Sequence, residues 1–418
     1  MEKRVLFYLL ALITFVFIIW NLWDVQVNLN GSIFTIQSRN FTRDDPLNEY
    51  FKIHTQISND KNVTSRKIFF TYSTDGGYGN RMYAVISSTL IAILLKCQLV
   101  NKWSTKEHLC IDPPINIFDP VNMPDGFNLT GNVTYLNFTY FFPHPKYPFA
   151  INKNIADLIE NPYYIPENYT RYGYGSGRPL FTELSANIRF YDQFEYYNLA
   201  RKKTLDLANE ALRNYKNFSN TELQKRVLNV AFEIGGNILN RIYRPNQYML
   251  NLIDYYVEKY FKNSFVIGLQ MRAADSGYLD ETKDHLKFIS CALEIEKEFL
   301  IRNKILEVSF KWFIATDSDK MRNYIFDNYP EKSFSSNGTV GHSGWSNIEQ
   351  FKKTILDVEL LSRCDEIITT GASTFGWLAA MKSLKMPYYV TGFSMNKCLR
   401  ADLGKQPANQ HGTGMFRK

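Results

Sequence analysis

Several features that mark common protein classes are scarce or missing in this sequence. The 48 lysines and arginines are scattered among 41 carboxylates, with no dense basic run and no motif that reads RNA or DNA. Together with the formal charge of +7 and the pI of about 8.9, this argues against nucleic acid as a partner. The same balance favours anionic small ligands or a membrane surface.

Cysteine is also scarce, and its spacing is not that of a zinc site. The chain has five cysteines, which are Cys97, Cys110, Cys291, Cys364 and Cys398. Because an odd number cannot pair completely, at most two internal disulfides can form. The sequence leaves open which cysteines pair.

The glycine-rich turn DGGYGN, residues 75–80, lacks the Gly-Lys-Ser/Thr ending of a P-loop and the full dinucleotide fingerprint. A strand-like run, KIFFTYS, precedes it, and a helical repeat of apolar residues and a second strand pattern, CQLV, follow. This order predicts a βαβ unit and a parallel sheet. Residues 76–81 would then lie at the carboxyl end of the first strand, where open α/β sheets bind ligands. A plain tight turn is the alternative for this loop taken alone.

The first residues predict a membrane anchor. The run 5–20 is apolar except for Thr14, and its extension to Trp23 covers roughly 28 Å as a helix, enough for a thin bilayer. No small-x-small cleavage site follows, which favours a signal anchor over a cleaved signal peptide. Since Lys3 and Arg4 precede the span, the positive-inside rule places the N-terminus in the cytosol and the rest of the chain in a lumen.

Nine Asn-x-Ser/Thr sequons agree with a lumenal address. They begin at Asn30, Asn40, Asn62, Asn128, Asn132, Asn137, Asn168, Asn217 and Asn337.

The remaining chain is long enough for more than one domain. With 45% hydrophobic and 15% aromatic residues, it can bury a large core, which predicts two or three domains. The predicted divisions are a cytosolic tail (1–4), a transmembrane signal anchor (5–23), a polar stem (24–65), an N-terminal acceptor-side lobe (66–230), a helical connection (231–262), a C-terminal nucleotide-binding lobe (263–400) and a tail (401–418).

Three strand patterns in the second half of the chain end at polar residues. The run SFVIGLQM ends at Arg272, KWFIA ends just before Asp317, and EIITT, residues 366–370, ends at a small-residue turn that contains Ser373 and Thr374. Because the carboxyl ends of parallel strands share one edge of a sheet, we expect these residues to lie close together.

The chemistry of these strand ends suits a phosphate. The turn before the helical run at Trp377 leaves backbone N–H groups at the positive end of a helix dipole. An ordinary connection capped by Ser373 or Thr374 is the alternative. Arg272 can bind a diphosphate through two parallel hydrogen bonds, and a simple ion pair with Asp275 is its alternative.

Five stretches together resemble a known family. They are GYGNRMYAVISSTLIAILL near the N-terminus, RIYRPNQ (241–247), VIGLQMR (266–272), HLKFISCALEIEKEFL (285–300) and TGASTFGWLAA (370–380). In this order, over roughly residues 67–392, they resemble the plant xyloglucan and cell-wall α-1,2-fucosyltransferases. More distantly they resemble the group that includes α-1,6- and protein O-fucosyltransferases. The resemblance implies an α/β fold of the GT-B type, with two Rossmann-like lobes and the active site in the cleft. It also implies GDP-fucose as donor, no essential metal or other cofactor, and inversion at the anomeric carbon.

The resemblance also implies roles for individual residues. Arg272 matches an arginine that contacts the donor diphosphate, and Asp317 lies where relatives place a donor-contacting acid. Ser373, Thr374 and Phe375 match a turn that holds the nucleotide phosphates and base. Asp357 resembles an aspartate that accepts hydrogen bonds from guanine. Gly79, Asn80 and Arg81 match a loop that faces the reaction from the other lobe. Asp275 is the candidate general base. Trp377 departs from the usual tyrosine, and residues 103–225 match poorly.

Three acidic residues, Asp317, Asp319 and Asp357, have other interpretations. Asp317 and Asp319 have the Asp-x-Asp spacing of a metal site in another glycosyltransferase architecture. Asp319 can instead cap the helix that begins at Lys320. Asp357 can be a solvated helix residue.

The leading hypothesis is an inverting fucosyltransferase, a single-pass type II protein of the Golgi membrane. It would move L-fucose from GDP-fucose to a glycan hydroxyl, α-1,2 to a galactose-type residue, in the Golgi lumen. The alternatives are a metal-dependent glycosyltransferase that uses Asp317 and Asp319, and a membrane-tethered glycan-binding protein without catalysis.

The anchor leads to a direct test. Because no cleavage site follows the apolar span, the mature protein should keep it, and N-terminal sequencing should read from the first residues of the chain. A mature N-terminus beyond Asp24 would identify a cleaved signal peptide instead.

Overall fold

The computed structural model describes the greater part of the chain beyond the predicted anchor. The described residues are 45–60, 68–72, 77–102, 110–115, 117, 134–135, 171–174, 180–273, 279–304, 308–338, 347–371, 373–390 and 398–402. None of the helices in these residues combines the length and the apolar character that a membrane crossing needs. The predicted anchor, residues 5–23, lies outside them.

Helix α1, Leu47–Asn59, lies within the range predicted as stem, yet it packs on the folded unit. Its Leu47 and Tyr50 are fully buried, and the Tyr50 hydroxyl donates to the Cys97 carbonyl at 3.1 Å. His54 is buried beside the Leu99 carbonyl, 3.0 Å from its Nε2. Burial lowers the pKa of His54 to about 4, so the ring is neutral at physiological pH. The folded unit therefore begins earlier than the sequence pattern predicts.

The first sheet contains the predicted βαβ unit. Strand β1, Ile68–Tyr72, is followed by helix α2, Tyr78–Leu95, and strand β2, Gln98–Lys102. With β3, Thr134–Tyr135, and β4, Arg171–Tyr174, they form a sheet of order β2-β1-β4-β3 in which every pair is parallel. This confirms the prediction of a parallel sheet whose first strand leads into the glycine-rich loop.

Helices link the two sheets. They are α3 (Leu180–Leu184), α4 (Tyr191–Tyr196), α5 (Lys202–Arg213), α6 (Asn220–Arg241) and α7 (Gln247–Tyr256). The break that Pro245 predicts lies between α6 and α7, where the side chain of Asn246 accepts a hydrogen bond from the Met249 N–H at 3.0 Å and caps α7. A π-helical turn, Val257–Phe261, then leads to the second sheet.

The second sheet holds six strands in the order β10-β9-β8-β5-β6-β7. They are β5 (Ser264–Met271), β6 (Ser309–Thr316), β7 (Ser333–Phe334), β8 (Glu366–Thr370), β9 (Tyr388–Val390) and β10 (Leu399–Arg400), and all but β10 pair in parallel. The helices between them are α8 (His285–Asn303), α9 (Asp319–Asn328), α10 (Ile348–Leu361) and α11 (Thr374–Ser383). The last six residues of β5 are buried, as in a central parallel strand.

A disulfide joins Cys291 of α8 to Cys398, the residue just before β10. It ties the antiparallel edge strand to the body of the second sheet. Cys97, Cys110 and Cys364 are buried and form no disulfide among the residues that the structure describes. From the sequence, only an upper limit of two disulfides could be predicted, because pairing depends on which Cα atoms the fold brings together.

A buried cluster of charges joins three helices behind the second sheet. The Lys382 ammonium on α11 lies 2.8 Å from Oε1 of Glu359 on α10 and donates to the Tyr243 carbonyl, just past α6, at 3.3 Å. Arg363 contacts the other oxygen of Glu359 at 2.7 Å. Although burial alone would raise the pKa of Glu359, these two cations hold it below its usual value. The cluster fixes α11 against both α10 and α6.

Replacing Lys382 should therefore destabilise the fold strongly. Lys382→Met leaves Glu359 buried with one cation instead of two, and we expect a loss of about 3 kcal/mol in the free energy of unfolding. Urea unfolding followed by fluorescence measures this change. Lys225→Met, which breaks the more exposed Lys225–Asp402 pair, is the matched control and should cost about 1 kcal/mol or less. Equal losses in the two variants would contradict the role given to Lys382.

Candidate functional site

Four neighbouring strands of the second sheet end beside one another, and polar residues follow each of them. Arg272 follows β5, Asp317 follows β6, Ser336 lies two residues past β7, and Ser373 follows β8. Because these strands are parallel, all four residues lie at the carboxyl edge of the sheet, the edge at which ligands bind in open α/β folds. The sheet topology thus brings Arg272, Asp317 and the Ser373 turn to the same edge, as expected from the sequence.

Asp317 orients Arg272. The Nε atom of Arg272 lies 3.3 Å from Oδ2 of Asp317, and the Ala273 N–H donates to Oδ1 of the same carboxylate at 2.8 Å. Both side chains keep some exposure, 27% for Arg272 and 14% for Asp317. One edge of the Arg272 guanidinium therefore faces the Asp317 carboxylate. Asp275, the alternative partner and candidate base, lies outside the described residues.

Thr370 connects Arg272 to the small-residue turn. It is not among the site residues predicted from the sequence. Its hydroxyl accepts a hydrogen bond from the Arg272 N–H at 2.9 Å and donates to the Gln270 carbonyl at 3.2 Å. Its carbonyl accepts from the Ser373 N–H at 2.9 Å. The sequence signal was present, since a threonine ends β8, but threonine is common in strands and marks no role by itself.

The start of α11 is pressed against the sheet. A Cβ placed on Gly376 would lie 1.7 Å from Oγ1 of Thr369 and 2.6 Å from Oε1 of Gln270, so only glycine fits there. Ser373 is the N-cap residue and is 5% exposed, yet its hydroxyl makes no capping hydrogen bond. Thr374 and Phe375 are half-buried. The first turn of α11 therefore offers helix N–H groups and a hydroxyl that the helix itself does not use.

A second helix start meets the first. A Cβ placed on Gly79, in the first turn of α2, would lie 2.6 Å from Oγ1 of Thr374 and 2.9 Å from the Phe375 nitrogen. Beside this contact, Tyr78 packs edge-on against Phe351 in the first turn of α10, with ring centroids 5.7 Å apart. The positive ends of the α2 and α11 dipoles are thereby brought together, where they favour an anion.

The other two residues of the predicted facing loop lie in the same turn of α2. Asn80 is half-buried and Arg81 is buried, at 8% exposure. Gly79 thus lies against the start of α11, and Asn80 and Arg81 follow it in the same turn of α2; the roles that the resemblance implies for these three residues stay predictions.

Asp357 is neither solvated nor isolated. It is 7% exposed, and both its oxygens accept hydrogen bonds from the Lys353 ammonium, one turn earlier in α10, at 3.1 and 2.9 Å. The Ser336 hydroxyl also donates to its Oδ1. Ser336 and Lys353 were missed in the sequence, because Lys353 and Asp357 carry only a common i,i+4 spacing and Ser336 lies in another segment.

Asp317 and Asp319 have different partners. Asp319 is exposed and pairs with Arg322 at 2.6 Å, whereas Asp317 faces Arg272. Helix α9 is capped by Ser318, whose hydroxyl accepts from the Met321 N–H at 3.3 Å, and not by Asp319. In the described part of the chain, no group of three or more histidine, cysteine, aspartate or glutamate side chains is placed to hold a metal ion.

Trp377, at the position where the resembling enzymes have tyrosine, is fully buried. Its indole N–H donates to the Gly371 carbonyl at 3.2 Å, which closes the turn between β8 and α11. The departure from the family pattern therefore falls on a residue that supports the turn from inside.

No protein-family model and no curated protein matches the chain in sequence. An arginine-to-lysine variant of Arabidopsis thaliana FUT1 in complex with GDP matches in structure, with 14% identity, a TM-score of 0.52, and coverage of 82% of this chain and 78% of its own. The chain has the fold of that protein, a mixed α/β fold built on parallel sheets.

Two further solved structures match at lower TM-scores. The fucosyltransferase NodZ from Bradyrhizobium has 16% identity, a TM-score of 0.40, and coverage of 75% of this chain and 92% of its own. POFUT1 in complex with GDP has 11% identity, a TM-score of 0.36, and coverage of 76% and 95%.

The contact at Gly79 can be tested by adding one methyl group. In Gly79→Ala, the Cβ would push the starts of α2 and α11 apart, because its nearest neighbours include the Thr374 backbone carbon at 2.8 Å. We expect a loss of about 1–3 kcal/mol in stability and weaker binding of pyrophosphate, measured by calorimetry.

Ile93→Val, a core change elsewhere in α2, is the control. It should cost about 0.5–1.5 kcal/mol in stability without changing pyrophosphate affinity. Wild-type pyrophosphate binding by Gly79→Ala would show that the contact between the two helix starts does not build an anion site.

Proposed function

We propose that this protein is a glycosyltransferase of the GT-B type that moves L-fucose from GDP-fucose to a glycan hydroxyl. The observation that carries the proposal is the meeting of the Arg272–Asp317 pair with the starts of α2 and α11 at one sheet edge. A nucleoside diphosphate is the ligand class that such a set of donors suits. The shared fold with FUT1, which was solved with GDP, supports this choice.

The chemistry assigned to the site is charge stabilisation. Breaking the bond between fucose and phosphate leaves two negative charges on GDP, which must be stabilised as they form. These charges would be stabilised by the Arg272 guanidinium, the Ser373 and Thr374 hydroxyls and the N–H groups at the start of α11. Asp317 fixes the arginine, and Phe375 and Asp357 would contact the base. This set supports donor activation that needs no metal ion or other cofactor.

The acceptor hydroxyl then attacks the opposite face of the sugar, so the anomeric configuration inverts. Asp275 is the proposed general base, because it follows Arg272 by three residues in the loop beyond β5. Gly79, Asn80 and Arg81 would face the reaction from the N-terminal lobe. The proposed product is an α-1,2 linkage to a galactose-type residue, as in the enzymes that the sequence resembles.

The proposed location is the Golgi membrane, with the folded unit in the lumen. The apolar run at residues 5–23 supports a type II anchor, and the Cys291–Cys398 disulfide fits an oxidising compartment. Asn217 and Asn337, two of the nine sequon asparagines, are exposed and would be open to a glycan there. The proposed partners are thus GDP-fucose, a glycan acceptor and the membrane, without nucleic acid.

Donor hydrolysis tests the proposal without knowledge of the acceptor. The full-length protein in detergent is incubated with GDP-fucose, GDP-mannose, UDP-galactose and CMP-sialic acid, and the released nucleotide is measured. We expect release from GDP-fucose alone, and the same rate in EDTA. Arg272→Ala should lower the rate about a hundredfold or more, because it removes transition-state charge stabilisation.

Arg302→Ala, which removes an exposed arginine at the end of α8, is the matched control and should keep the full rate. Activity that EDTA abolishes would favour the metal-dependent alternative. Binding of GDP-fucose without turnover, with or without a panel of glycans, would favour the non-catalytic one.

A further inference from the structure

Three buried polar side chains form a closed cluster between β7 and α10. Lys353, Asp357 and Ser336 are each more than nine-tenths buried, at 8%, 7% and 3% exposure. The Lys353 ammonium donates to both Asp357 oxygens and to the Ser336 hydroxyl, the last at 2.7 Å. The Ser336 hydroxyl in turn donates to Oδ1 of Asp357. The lysine thus has its three donors satisfied.

Stability alone does not account for such a cluster. Taking a lysine and an aspartate out of water costs several kcal/mol per ion, and well-packed apolar residues of similar size are often equally stable or more so. A buried pair of charges is therefore weak evidence for a purely structural role. One atom of the cluster can also accept a further hydrogen bond, so the cluster can contact a ligand.

That atom is Oδ2 of Asp357. Each carboxylate oxygen has about two lone pairs. Oδ1 accepts from both Lys353 and Ser336, whereas Oδ2, within the described part of the chain, accepts only from Lys353 at 2.9 Å. The carboxylate is thus held in one orientation by two donors and retains an acceptor site on one side.

The cluster lies next to the proposed diphosphate site. Ser336 belongs to the same carboxyl edge as Arg272, and the following Asn337 N–H donates to the Tyr256 hydroxyl at 2.7 Å. Lys353 is two residues after Phe351, which contacts the start of α2 through Tyr78. A nucleotide whose phosphates lie at the helix starts would therefore place its base towards α10.

We propose that Lys353 is a positioning residue for base recognition, acting through Asp357 with Ser336. It holds a buried carboxylate that can only accept hydrogen bonds, so the site takes a base edge that offers N–H donors, as guanine does. The site rejects adenine, because N1 at the corresponding edge of adenine carries no hydrogen and can only accept a hydrogen bond. This inference rests on the proposed function, because it needs a nucleoside diphosphate in the site.

The matched comparison is between two adjacent lysines. Lys353→Met removes the buried ammonium, whereas Lys352→Met removes an exposed one that pairs with Glu349. Without the ammonium, the Asp357 carboxylate loses the donor that holds both of its oxygens in place. The full-length protein in detergent is titrated with GDP and with ADP by calorimetry, and thermal unfolding without ligand shows whether each variant is folded.

Wild type and Lys352→Met should both prefer GDP. Lys353→Met should bind GDP about tenfold more weakly, the size of one lost hydrogen bond to a charged group, while its ADP affinity stays equal or rises. Lys353→Arg, which restores the cation, should recover most of the preference. Lys353→Gln keeps a donor and serves if Lys353→Met does not fold; its preference for GDP should fall as well.

A purely structural role predicts a different result. If Lys353→Met or Lys353→Gln lowers the melting temperature but leaves the ratio of GDP to ADP affinity unchanged, the proposal is overturned while the proposed function stands. If wild type binds neither nucleotide, the proposed function fails, and this inference fails with it.

Discussion

The candidate site depends on how closely two helices approach each other. Helices α2 and α11 meet at their first turns, and Gly79 is the residue that permits it, since a side chain there would overlap the backbone at Thr374. Each helix end carries partial positive charge, and two like charges do not gather without a cause. The approach is held by packing, with Gly376 against the sheet below and Tyr78 against Phe351 beside it. The anion-binding character of the site is therefore a product of the core.

Buried charges stabilise this arrangement from behind. Lys382 joins α11 to Glu359 on α10 and to carbonyl oxygens at the end of α6, so the helix that starts at the site is fixed at its other end. Lys353 and Asp357 form a second buried pair on the same helix as Glu359. Both pairs satisfy the rule that a buried ion needs a partner of opposite charge and hydrogen bonds to it. Helix α10 thus carries both Glu359, which holds α11 in place, and Asp357, the proposed contact for the base.

Much of the architecture was readable from local pattern. The apolar runs that became β5, β6 and β8 are short and continuous and end at polar residues, so the strands and their parallel direction could be predicted, although their order in the sheet could not. Helix α1 was missed although its buried residues Leu47, Tyr50, Phe51 and His54 have the i, i+3, i+4, i+7 spacing of an amphipathic helix. The polar residues that surround them made the segment resemble a stem. The site was predictable where residues follow strands, as for Arg272, Asp317 and Ser373. It was not predictable for Thr370 and Ser336, whose partners are distant in sequence, or for Lys353, whose i,i+4 spacing from Asp357 is common on any helix.

The sequence by itself therefore determined the strands, their polar ends and the glycine positions. The strands follow from the pattern of apolar residues, and their polar ends share an edge because the strands run in the same direction. The glycines stand where the backbone has no room for a side chain. It also limited the disulfides to two at most. Tertiary structure alone decided that Cys291 pairs with Cys398, that Asp317 holds Arg272, and that Asp357 is buried with Lys353. Each of these depends on distances between segments dozens of residues apart or on the burial of a charge, and local sequence encodes neither. The meeting of Gly79 with Thr374 is the clearest case, since nearly three hundred residues separate two turns that nothing in either stretch directs towards each other.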